Sequence, residues 1–80
     1  MKPPRDISGV QLAKTLHRLG YDVTRQKGGH IRLTTQERSE HHITIPHHDP
    51  LKPGTLNNIL QSIAIHFDKS RKEIERLLFS

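Results

Sequence analysis

One six-residue stretch concentrates the chemistry of this chain: Arg25-Gln26-Lys27-Gly28-Gly29-His30. A titratable imidazole stands directly after two glycines, with two cations just upstream. Glycines let a bulky anion reach the main chain and adopt backbone angles that other residues avoid. Histidine, with a reference pKa of about 6.5, exchanges protons near neutrality. The combination suits work on a phosphodiester. RNA carries its own nucleophile, the 2′-hydroxyl, so cleaving it takes a base for that proton, cations to offset charge on the phosphorane, and a route for protonating the leaving 5′-oxygen. On that chemistry His30 is the candidate general base or acid. Lys27, Arg32 and Arg25 are candidate phosphate ligands, and the Gly28 and Gly29 amides are placed to cradle the anion. A non-catalytic RNA-binding module would use the same basic residues without needing His30 to titrate, and read without chemistry the stretch is a surface histidine beside a tight turn.

The charge distribution fits a polyanionic partner there and equally a basic surface kept for solubility. The net charge is +5, and residues 1–38 hold eight Lys or Arg against three acids, whereas residues 39–80 hold five of each sign. All the excess surrounds the glycine stretch, as expected if the partner there is a polyanion such as nucleic acid. With no cysteine, disulfide frameworks and the usual zinc-finger ligand sets are excluded, and a metal would need His, Asp or Glu. His41-His42 and His47-His48-Asp49 invite that reading, but adjacent strand residues point to opposite faces and do not easily chelate one ion. No metal or other cofactor is expected. No apolar run is long enough to span a bilayer and the N-terminal segment has no apolar signal-like core. The expectation is a soluble, cytoplasmic protein without a membrane partner.

The elements that must hold His30 follow from the periodicity. Ser8 and Gln11 form a capping-box pattern, Ile7 can staple onto Leu12, and Leu12, Leu16 and Leu19 make one helical stripe closed by Gly20. From Tyr21 the period becomes two. Tyr21, Val23, Ile31 and Leu33 alternate with polar residues, with Lys27-Gly28 as the turn, and Ile43 and Ile45 continue the phase in a third strand. Parity then places His30, Arg32, His42 and Thr44 on the face opposite the apolar residues. Arg25 has the phase of the core-facing positions, so its head would have to bend around the sheet edge. Residues 46–53 read as a loop. A second helix starts at Pro53 and buries Leu56, Ile59, Leu60, Ile63, Ala64 and Phe67. Ser70 and Glu73 form a second capping-box pattern for a short helix docking through Ile74, Leu77 and Leu78. His17 and His66 fall at solvated helix positions. Eighty residues allow one domain, spanning 1–80, of α+β class. Its order αβββα plus a short C-terminal helix puts a three-stranded antiparallel sheet under helices on one face, the outline of a double-stranded-RNA-binding domain.

Four strings in this order carry a resemblance: Gly20-Tyr21, then Arg25 through His30, then Ile45-Pro46-His47-His48, then Leu51-Lys52-Pro53-Gly54-Thr55-Leu56 with Ile59-Leu60. Together they resemble the HicA (YcfA-like) family of type II toxin mRNA interferases, over about Ser8 to Ala64. The resemblance implies a small endoribonuclease that cleaves messenger RNA without a metal and is neutralised by a HicB-type antitoxin. It implies that His30 is the catalytic histidine and that Gly28 and Gly29 occupy the family's small-residue positions. His48, in the Pro-x-His string, is a possible accessory that shapes the loop, contacts RNA or serves as a second catalytic histidine. Many family members have a glycine after the second helix's alanine. Here Ala64 is followed by Ile65-His66-Phe67, which implies a longer helix.

Overall fold

The Ser8 hydroxyl accepts the Gln11 N–H at 3.1 Å, and Gln11 Oε1 accepts the Ser8 N–H at 2.9 Å. This reciprocal cap satisfies two donors that a helix start leaves orphaned. Helix α1 (Gly9–Thr15) follows, tightens into a 3₁₀ turn over Leu16–Leu19 and stops at Gly20, whose φ is 81°. The structure, a computed structural model, describes Pro4 and residues 6–80. Lys2 and Arg5, counted above among the N-terminal cations, lie outside the described residues.

Three strands follow as an antiparallel meander in the order β1-β2-β3, namely β1 (Asp22–Lys27), β2 (His30–Thr35) and β3 (His41–Pro46). Ile31 pairs with Ile45 and Leu33 with Ile43, so the apolar residues of β2 and β3 share one face, and all four are buried. Helix α1 packs on this face across β2 and β3, while helix α2 (Pro53–Phe67) packs on β3. The fold is α+β with the sheet's other face left open. Strand β1 is the exception to the expected core. All six of its residues are exposed and Val23 is 51% accessible, because the helices lie over β2 and β3 and do not extend to this edge strand.

Helix α2 buries Leu56, Ile59, Leu60, Ile63, Ala64 and Phe67 along one stripe. With no glycine after Ala64, the helix continues to Phe67 before Asp68 closes it in the left-handed region. Helix α3 (Arg71–Phe79) returns across it. Ser70 accepts the Glu73 N–H at 3.1 Å, but the predicted box is only half made. The Glu73 carboxylate turns instead to Lys69, 3.7 Å away. Ile74 and Leu78 dock as expected, while Leu77 is 44% exposed and Phe79 takes its place at the core margin.

Close approach between layers shows at Gly9. A Cβ there would sit 2.2 Å from the Pro46 carbonyl oxygen, and the Gly9 N–H donates to His48 O at 2.9 Å. The start of α1 thus lies against the end of β3, which fixes the loop leaving that strand.

Candidate functional site

Strand register builds the candidate site. Lys27 pairs with His30 across the β1–β2 ladder, so the turn is Gly28-Gly29, not Lys27-Gly28. Further along, Val23 pairs with Leu33 but Arg25 pairs with Arg32. Thr24 is the extra residue of a β-bulge, and one inserted residue reverses the facing of everything beyond it. This corrects the expectation for Arg25. Its alternation from Tyr21 and Val23 points to the core, yet the bulge returns it to the open face directly opposite Arg32. Lys27, His30, Arg25 and Arg32 form a two-by-two block, all four exposed, with opposite members about 5 Å apart at Cβ. Like charges facing each other weaken a sheet. An anion bound between Arg25 and Arg32 relieves that repulsion.

The two glycines have different reasons to be small. Gly28 has φ 59°, in the left-handed region where L side chains are strained. Gly29 does not, and a Cβ at Gly29, as at Gly28, would meet nothing within 4 Å. The fold itself makes no demand on Gly29. The loop after β3 lies beside it: the His47 N–H donates to the Gly29 carbonyl at 2.7 Å, placing the His47 backbone next to the turn, a neighbour that spacing in the sequence does not reveal. His48 is exposed and is held through its own carbonyl by Gly9.

Beyond Arg32 the open face continues as a polar chain spanning all three strands. Thr24 Oγ1 lies 3.0 Å from Thr34 Oγ1, Thr34 Oγ1 lies 2.7 Å from His42 Nδ1, and His42 Nε2 lies 3.0 Å from Glu40 Oε2. Hydrogen bonds from Gln36 and then His42 hold the Glu40 carboxyl below its usual range. Parity already puts His42 on this face, but the link from Thr24 through Thr34 escapes sequence reading because it depends on the bulge. On the core side at the same end of the sheet, His41 bridges Tyr21 Oη (2.7 Å) and Ser62 Oγ (3.3 Å). His66 stacks on the His41 ring at 4.4 Å and donates to the Glu37 carbonyl at 2.9 Å, so it is a packed residue and not the solvated position expected. Burial raises the Tyr21 phenol and, with the neighbouring His66 and His42 charges, lowers His41. Among the described residues no group of three or more His, Cys, Asp or Glu is placed to hold a metal ion, and no helix is long and apolar enough to cross a membrane.

Not every cation of the basic half is available to a ligand. Arg18 Nη1 donates to the carbonyls of Leu77, Leu78 and Ser80 at 3.1–3.4 Å. Arg38 Nη1 donates to Phe67 O at 2.7 Å. Both close helix C-termini, where a cation offsets the helix dipole. Among the described residues, Arg25, Lys27 and Arg32 are the cations that the strand register puts on the open face.

Comparison with known proteins adds one finding. The family model described as HicA toxin of bacterial toxin-antitoxin matches residues 9–65, an interval that includes both glycines, the two-by-two block and most of α2. No curated protein and no solved structure matches the chain.

Proposed function

The chain belongs to the HicA family of toxins of bacterial toxin-antitoxin systems, and on that premise we propose that it is an endoribonuclease that cleaves messenger RNA without a metal ion. The observation that carries this reading is the two-by-two block, in which one histidine and three cations share the open face at a glycine turn. In the proposed reaction His30 takes the proton from the 2′-hydroxyl as that oxygen attacks phosphorus, and the bond to the 5′-oxygen breaks. The products are a 2′,3′-cyclic phosphate and a 5′-hydroxyl. His30 can serve as base or, once protonated, as the acid for the departing oxygen. Arg32 and Arg25 offset the phosphorane charge, while Lys27, directly across from His30, stabilises charge on the leaving oxygen. The unobstructed space at Gly28 and Gly29 lets the phosphate come close to their amides, and His48, on the loop after β3, is the accessory residue that contacts RNA in this proposal.

The decisive assay incubates RNA with wild type and with His30→Ala. Loss of a proton-transfer group lowers the rate by about a hundredfold or more, with EDTA having no effect. Undiminished cleavage by His30→Ala, or activity abolished by EDTA, refutes the reading. Binding without cleavage by wild type identifies a non-catalytic RNA-binding module instead. A HicB-type antitoxin, in this proposal, covers the basic face with an acidic surface, so toxin–antitoxin affinity weakens as salt rises. A salt-independent affinity refutes that mode of neutralisation.

A further inference from the structure

The polar chain at the far end of the open face has no part in the chemistry proposed for His30. His42 lies four residues along the sheet from His30, since His30 pairs with Pro46 while Thr34 pairs with His42. At about 3.3 Å per strand residue the separation is roughly 13 Å. One phosphodiester does not span that distance, so His42 cannot be the partner acid or base of His30 on a single linkage. Both its nitrogens are moreover taken by the protein, Nδ1 by Thr34 and Nε2 by Glu40. What the ring still offers a ligand is its flat face. The side chain is 41% exposed, and the two hydrogen bonds fix its orientation.

We propose that His42 is a stacking platform for a nucleobase of single-stranded RNA, at a subsite one nucleotide or more away from the scissile linkage. Aromatic and imidazole rings bind unpaired bases by stacking, which tolerates any base because every base has a π-face. Arg32 lies between His30 and His42 on the same face and meets the backbone between the two positions. The Thr34 hydroxyl holds the platform at Nδ1, and Thr24 in turn holds the Thr34 hydroxyl. The inference rests on the RNA reading above and adds to it a direction: the strand crosses from the glycine turn along β2 toward Glu40.

The test measures binding of a labelled single-stranded RNA octamer, fully 2′-O-methylated so that it has no nucleophile, to full-length protein by fluorescence anisotropy. Stacking of this kind predicts that His42→Ala weakens the octamer about tenfold, that His42→Gln weakens it equally, and that His42→Phe stays within about twofold of wild type. An abasic octamer of the same backbone binds wild type and His42→Ala alike. Circular dichroism melts establish that each variant is folded, and the phenylalanine and glutamine variants carry the test if alanine does not fold. Octamer binding that is unchanged in His42→Ala and His42→Gln, or lost equally in His42→Phe, overturns the proposal, as does a wild type that does not bind the octamer. A wild type that binds through His42 but leaves unmodified RNA intact refutes the ribonuclease reading and leaves the stacking site standing. A wild type that cleaves RNA while His42→Ala binds like wild type does the reverse.

Discussion

At the hairpin turn, Gly28 sits at a positive φ and Gly29 does not, and neither would meet a neighbour if it gained a Cβ. The two alanine variants should therefore part company. Gly28→Ala costs about 1–2 kcal/mol through left-handed backbone strain, visible as a lower melting temperature. Gly29→Ala should melt like wild type and still lose the proposed RNA cleavage, because its methyl group occupies the space through which a phosphate would reach the amide. Equal activity in Gly29→Ala would remove the cradle from the mechanism. Arg25 invites a second comparison at this scale, since it faces Arg32 across the ladder. Arg25→Thr should raise stability by a few tenths of a kcal/mol by ending that repulsion while weakening RNA binding. A variant that loses both stability and binding would show that Arg25 serves the fold.

Among the elements, the helix ends and the edge strand divide the cations between fold and site. Arg18 closes the C-terminus of α3 through three carbonyls, so Arg18→Ala should lower stability by about 1 kcal/mol and leave any RNA cleavage untouched. Arg32→Ala, on the open face, should do the opposite. Chemical denaturation and an RNase assay on the two variants separate these outcomes. The alternation of Ile31, Leu33, Ile43 and Ile45 and the cap at Ser8 made the sheet faces and the start of α1 legible in advance, because both depend on local spacing. The same local spacing sends Arg25 to the wrong face. Its facing depends on whether Thr24 is counted into the ladder, and a bulge is decided by the partner strand.

For the molecule as a whole, the Tyr21–His41–His66 cluster ties the core to pH. Burial, followed by the charges of His66 and His42, lowers the folded pKa of His41 from its ordinary value of 6.5. The unfolded chain thus binds this proton more readily than the folded one. Stability is fully present above about pH 6.5 and falls as the pH drops through that value toward the folded pKa. Thermal unfolding at about pH 7.5 and about pH 5 should show the lower melting temperature at acid pH, with a smaller difference in His41→Gln. An unchanged difference would assign the effect to other groups. Salt acts on the opposite face. If Arg25, Lys27 and Arg32 each meet a phosphate, the logarithm of RNA affinity should fall against log salt with a slope of about −2.

Spacing alone was enough to specify what is local in this protein: the Ser8 capping box, the alternation of β2 and β3, the apolar stripe of α2 and the membership of His30 in a basic glycine turn. A cap or an amphipathic stripe is completed within a few residues, so its information lies in the sequence. Tertiary structure decided what depends on distant partners. It brought Thr24 to Thr34 and so turned Arg25 outward, sent Arg18 and Arg38 to helix ends, left β1 outside the cover of the helices, and closed both nitrogens of His42. Each of these is a pairing between residues far apart in the chain, and side-chain type and spacing do not state which of several available partners the packed core will select.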